Sequence, residues 1–193
     1  MKIRRLVVFC VLLGIAPAVG AARILSASVE HADNSYRIDA VVLLDGELAG
    51  LKRLITDYRR LAALSPSVVR SRILSGRSGF DARVEVVLRP CVLVIFCRTI
   101  TKVSDVYIDS GGERMRYVTV PELSDFKKGL ETVTLANESA AGAPQVRFVY
   151  SAVLAPKFFV PPFVGPWLIR RQIVDDLRTS SRRVERLLRD ASR

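Results

Sequence analysis

The sequence has one histidine, His31, placed in a weak strand near its start. A Ser-His-Asp relay needs that imidazole inside a pocket, and the position reads instead as a surface or hairpin residue. Cysteine is scarce too, at three residues. Two paired thiols and a distant histidine make no zinc site. No Gly-x-Ser-x-Gly, phosphate loop or dinucleotide fingerprint appears; "GRSGF" and "DSGGE" read as turns. No catalytic residue, metal or cofactor is therefore expected from motifs. After the first residues, no apolar run is long enough to span a bilayer, which takes about 20 residues. Acidic residues are also in short supply, 19 against 30 basic ones, for a net charge of +11.

What is present begins with the leader. Lys2, Arg4 and Arg5 precede an apolar core from Leu6 to Ile15, followed by "APAVGAA" with small residues at Ala18, Gly20, Ala21 and Ala22. That is the layout of a secretory signal cleaved after Gly20 or Ala22; an uncleaved anchor is the alternative. Cys10 follows Phe9, where a lipoprotein signal wants a small residue, so no lipidation is expected there. The reading is residues 1–22 as signal and 23–193 as one domain, exported to the periplasm or secreted. The leader removes +3 and leaves +8. Outside the cytosol that charge points to anionic lipid headgroups or acidic glycans rather than nucleic acid, or simply to solubility.

Hydrophobic periodicity gives the order β, α, β-rich, α. "ARILSASVEH" and "SYRIDAVVLLDG" read as strands joined at "ADNS". A helix is predicted from about Glu47 to Leu64, capped by Asp45 and ended before Pro66. Strands follow at "VVRSRILS", "ARVEVVLR", "RTITKVSDVYID", "RMRYVTV", "KGLETVTLANE" and "QVRFVYSAVL". A long helix from about Pro166 to Asp190 carries an apolar stripe of Ile169, Ile173, Leu177, Val184 and Leu188. Its opposite face holds Arg170, Arg171, Arg178, Arg182, Arg186 and Arg189. The stripe must bury, and the sheet is the only large partner.

Two segments stand out. "RPCVLVIFCRT" encloses five apolar residues between Cys91 and Cys97. A single strand over 82–108 would run roughly 90 Å, against a domain about 40 Å across. The chain must reverse near Pro90 to Cys97, and facing cysteines in a hairpin would bring the thiols within disulfide reach. The apolar tip, with Leu93, Ile95 and Phe96, either folds under another element or meets a lipid surface. "APKFFVPPFVGPWLI" sets Phe159, Phe163 and Trp167 among four prolines, as core packing or as a mouth. Chemistry by carboxylates stays open: Glu85, Asp105, Glu122, Asp125 and Glu131 lie on or beside strands, and a buried one could work as acid or base.

The stretches "LITDYRRLAALSPSVVRSRIL", "PELSDFKKGLETVTL" and "VPPFVGPWLIRRQIVDDLRTSSRRVERL" resemble the START-like or Bet v 1-like superfamily (SRPBCC). They are most similar to its polyketide cyclase/dehydrase and coenzyme-Q-binding branch, in exported bacterial members. The resemblance spans nearly all of the chain after the leader. It implies an α+β helix-grip fold, in which a curved antiparallel sheet wraps a long C-terminal helix around an apolar cavity. It also implies a bound lipid, sterol, quinone or polyketide.

Inward positions Val86, Leu88, Tyr117, Phe148 and Tyr150, with Ile173 and Leu177 from the helix, are the expected cavity walls. Leu93, Ile95, Phe96, Phe159, Phe163 and Trp167 are the expected mouth or membrane contact. The expected function is a non-enzymatic, monomeric carrier of a hydrophobic small molecule such as a lipid, isoprenoid or quinone. Its other partner would be an anionic membrane met peripherally, with no nucleic acid. The alternatives are a cyclase or dehydratase using the same cavity, which needs an inward ionisable pair, and an envelope interaction module with a filled core.

Overall fold

Asp33 and Asn34 take left-handed backbone, with φ of 50° and 55°. A two-residue hairpin turn that matches strand twist needs positive φ at both central positions, and Asn and Asp tolerate it best among residues with a side chain. The turn joins β1 (Arg23–Ala32) to β2 (Ser35–Asp45), with His31 opposite Tyr36. The computed structural model describes residues 22–77, 79–92, 96–139, 143–160 and 165–191. The leader through residue 21 lies outside them.

The helix expected over 47–64 is two pieces, α1 (Leu48–Thr56) and α2 (Leu61–Leu64). Thr56 turns its hydroxyl back onto the Lys52 carbonyl at 2.8 Å, and the Tyr58 N–H closes a tight turn on the Thr56 carbonyl at 2.9 Å. The break lets Tyr58 bury its ring against Ala82, Val84 and Val106, which a continuous helix would swing away. Asp45 does not cap α1. Its carboxylate accepts from Gln145 Nε2 at 2.8 Å, and its own N–H donates to Glu185 at 3.0 Å.

The other strands are β3 (Val68–Arg77), β4 (Phe80–Leu88), β5 (Cys91–Val92), β6 (Phe96–Cys97), β7 (Ile100–Ile108), β8 (Arg114–Thr119), β9 (Phe126–Asn137) and β10 (Gln145–Pro156). Eight form one sheet in the order β1-β2-β10-β9-β8-β7-β4-β3, antiparallel at each pairing. β5 and β6 form a separate two-stranded hairpin, so the chain does reverse between β4 and β7.

The 27-residue helix α3 (Gly165–Ala191) closes the fold. It would be roughly 40 Å long at 1.5 Å per residue. Asp176 accepts from the Ser65 hydroxyl at 3.1 Å and the Ser67 N–H at 3.2 Å, which ties the middle of α3 to the turn before β3. Buried Glu185 ties it to the end of β2. Near its C-terminus, Leu188 presses on Gly46 and Gly50, where an added Cβ would come within 2.6 and 2.8 Å of its methyls. The main core lies here, with Val42, Leu44, Leu51, Met115, Leu135, Val146, Val184 and Leu188 all sealed. This is the α+β helix-grip arrangement: a curved antiparallel sheet with a long C-terminal helix.

Candidate functional site

Alternation along each strand fixes which side chains share the face that meets α3. The cross-strand register aligns Ala82, Val106, Tyr117, Glu131, Ala152 and Ile38 in one row. A neighbouring row holds Val84, Ser104 and Thr119, and Val86 stands opposite Lys102. On this inner face lie five expected wall residues: Val86, Leu88, Tyr117, Phe148 and Tyr150. Tyr117, Phe148, Tyr150 and Leu177 pack onto the edge of the sealed core, and Val86 and Tyr117 onto the cluster around Tyr58. All five, and Ile173 and Leu177 on α3, are only half-buried. Ile169, on the same stripe, is half-buried as well, so the first half of α3 is packed less tightly than the second.

The inner face also carries charge. Lys102 Nζ meets Glu131 Oε1 at 2.5 Å, with side chains 15% and 6% exposed. Tyr150 Oη donates to the other carboxylate oxygen of Glu131 at 2.7 Å. Burial, then the adjacent Glu131 carboxylate, pushes the Tyr150 hydroxyl well above its usual range. Tyr117 is raised well above its usual range too, first by burial and then by Tyr58 beside it and by Glu131. Tyr58 and Tyr117 meet edge-on, ring centroids 6.4 Å apart. The Tyr58 hydroxyl interacts with Tyr117 but closes no hydrogen bond of ordinary geometry. Among the described residues, buried Ser104 Oγ and Thr119 Oγ1 likewise have no hydrogen-bond partner.

Of the five carboxylates singled out from the sequence, Glu131 is the one brought inside. Glu85 is held by Arg70 and Arg72, and Asp105 by Arg83 at 2.6 and 2.8 Å. Asp125 accepts the Thr101 N–H at 2.7 Å, and Glu122 is exposed on the short turn Pro121–Leu123. Lys102, Ser104, Thr119 and Tyr58 were not read from the sequence as site residues. The signal for the first two was the parity of β7, which puts them in phase with Val106 and Ile108.

A cleft of about 350 Å³ opens where the β1–β2 turn, the start of β9 and the segment after β10 converge. His31, Tyr36, Lys127, Lys157, Phe158, Phe159 and Val160 are among its walls. The seven expected cavity residues do not line it, whereas Phe159, an expected mouth residue, does. His31 stacks near Tyr36, centroids 4.6 Å apart. Phe158 is clamped between Phe126 and the Arg98 guanidinium, 4.4 Å from its ring centre. Phe159 and Trp167 remain 81% and 56% exposed. Arg171 lies 5.7 Å from the Trp167 ring centre. Leu93, Ile95 and Phe163 lie outside the described residues, and Phe96 is described only as pairing with Val92. Cys91 and Cys97 stand opposite each other across the β5–β6 ladder.

Among the described residues, no helix is long and apolar enough to cross a membrane, and no group of three or more His, Cys, Asp or Glu could hold a metal ion. No protein-family profile matches the chain, and no curated protein matches it in sequence. Its shape does match solved structures. A START superfamily protein from Mycobacterium smegmatis is 11% identical over 80% of this chain and 98% of that one, with a TM-score of 0.58. A STAR-related lipid transfer protein from Xanthomonas axonopodis is 12% identical over 82% and 98%, TM-score 0.56. The Zhui aromatase/cyclase from Streptomyces sp. R1128 is 13% identical over 82% and 94%, TM-score 0.54. At these identities the likeness is one of fold, and the chain has the START-like, SRPBCC-type helix-grip fold.

Proposed function

We propose that this protein binds and carries a hydrophobic small molecule between the inner face of its sheet and the first half of α3. The observation that carries the reading is the half-buried state of Val86, Leu88, Phe148, Tyr150, Ile173 and Leu177. Val86, Leu88, Phe148 and Tyr150 share the inner face of the sheet, Ile173 and Leu177 lie on the apolar stripe of α3, and protein packing leaves each with accessible surface. An apolar ligand would complete their burial, gaining about 25 cal/mol for each Å² withdrawn from water. Fold-level support comes from neighbours whose names speak of lipid transfer and of aromatase/cyclase activity.

In this reading the protein is exported, acts as a monomer and releases its cargo unchanged. A disulfide between Cys91 and Cys97 is supported by their register, since directly opposed Cα atoms are about 5 Å apart, within the span a disulfide needs. Phe159 and Trp167 would touch an anionic membrane while the cleft basic residues Lys127 and Lys157 meet its headgroups.

The cyclase or dehydratase alternative has one observation in its favour. Glu131 and Lys102, with Tyr150 donating to Glu131, offer the inward ionisable pair that such chemistry needs. Bound polyketide-like compounds that leave chemically changed would favour it over carriage.

Titration with a fluorescent apolar probe tests the carrier reading. Saturable binding is expected, weakened at least tenfold by Ile173→Asp and little affected by Arg170→Ala. Failure of the folded protein to take up any apolar probe would contradict it and leave the envelope interaction module.

A further inference from the structure

A buried hydroxyl is ordinarily hydrogen-bonded, because leaving it dry and alone is costly. Ser104 and Thr119 break that expectation side by side. They are directly opposed on β7 and β8, share the inner face, are 3% and 6% exposed, and have no hydrogen-bond partner among the described residues. Tyr58 leaves its hydroxyl without a hydrogen bond of ordinary geometry and packs on Val84 and Val106, next to Ser104 in the register and along β7. The charges nearby are already committed: Lys102 is closed on Glu131, and Tyr150 takes the second carboxylate oxygen.

These two facts constrain what polar group suits the inner face. A carboxylate or phosphate brought here would be desolvated with Lys102 already closed on Glu131 and with that carboxylate close by. A cation would find the adjacent Glu131 carboxylate already held by Lys102. Hydroxyl groups that both donate and accept suit a neutral oxygen. We propose that the inner-face hydroxyls of Ser104 and Thr119, flanked by Tyr58, form the polar end of the ligand site and select an apolar molecule bearing a neutral hydroxyl or carbonyl. This rests on the carrier reading and names the ligand class within it.

The test uses four probes with one fluorophore and one chain length: pyrenyl-decane, the pyrenyl-decyl alcohol, the corresponding methyl ketone and the carboxylic acid, each titrated into the full chain at neutral pH. The alcohol and ketone are expected to bind about tenfold tighter than the hydrocarbon, the size of one or two recovered hydrogen bonds, and the carboxylate no tighter than the hydrocarbon. In the double variant Ser104→Ala/Thr119→Val, whose fold is checked by its melting transition, the preference for alcohol and ketone over hydrocarbon should fall below about twofold.

Equal affinity for alcohol and hydrocarbon, a preference for the carboxylate, or a preference that survives the double variant overturns the inference while the carrier reading stands. Should the variant not fold, the ranking of the four probes on the wild-type chain decides alone. Binding of none of the four overturns both.

Discussion

The buried pair of Lys102 and Glu131 sets the chemistry of the inner face. Removing one partner of a buried ion pair strands the other charge, at a cost of about 3–5 kcal/mol, whereas replacing both by apolar groups of similar volume is often neutral. Lys102→Ala is therefore expected to lower stability by about 3 kcal/mol in urea unfolding, and Lys102→Met/Glu131→Leu to recover most of that loss. Equal loss in the single and double variants would show that the pair is not closed in solution.

The tyrosines give a second expectation at this scale. Tyr117 and Tyr150 have raised hydroxyls, so the unfolded chain loses their protons first. Their contribution is fully present below the unfolded value of about 10 and is lost as pH rises through the folded values. Tyrosinate absorbance should appear together with alkaline unfolding for this pair rather than ahead of it. Carboxylates set the acid side. Arg72 holds Glu85 below the usual range, backbone N–H groups led by Arg114 do the same for Asp109, and Arg147 does so for Glu138. Their stabilisation is present above the unfolded values, about 4.3 for Glu and about 3.9 for Asp, and disappears as pH falls through the folded values. Melting temperature should drop below those values, less steeply in Glu85→Gln.

Among the elements, α3 shows best what a sequence reveals and conceals. Its extent and stripe were legible because apolar residues recur at helical spacing over many turns. Its uneven burial was not legible, because periodicity tells which side faces the sheet but not how closely the sheet approaches. The close approach depends on Gly46 and Gly50, which admit Leu188. Gly46 also has φ of +143°, a conformation that disfavours any side chain. Gly46→Ala should cost about 1–3 kcal/mol and loosen α3 from α1, seen as faster amide exchange in the last turns of α3. The break between α1 and α2 escaped the sequence because "TDYRRLAAL" keeps helical spacing through it, and the tertiary burial of Tyr58 prevails over local preference.

The reversal at β5–β6 was legible from chain length alone. If its cysteines are joined, the short loop contributes about 2 kcal/mol. Reduction should then lower the melting temperature by roughly 5 °C. No change on reduction would count against the bond.

For the whole molecule, the fold was readable, since the helix-grip arrangement follows from strand order and a long final helix. The polar half of the candidate site was harder to read. Lys102 and Glu131 lie 29 residues apart and meet only through the β7-β8-β9 register. Strand alternation also cannot say whether a charged residue in phase with the core has a partner.

Charge and exposed aromatics act at this scale too. The cleft holds Lys127, Lys157 and exposed Phe159, and Trp167 is exposed in the first turn of α3. The protein should sediment with vesicles that contain phosphatidylglycerol and much less with pure phosphatidylcholine, and Phe159→Asp/Trp167→Asp should reduce that binding several-fold. Identical sedimentation of the wild type with both vesicles would remove the membrane from the account.

The central claim is that the space between α3 and the sheet holds an apolar molecule. Native mass spectrometry of the oxidised, folded protein purified from cells that express the full sequence, followed by organic extraction, tests it most directly. The account predicts a species heavier than the polypeptide, whose excess mass is lost on denaturation and recovered in the organic phase. A bare polypeptide mass, in a protein that then takes up no compound from a panel of lipids, sterols and quinones, would contradict it.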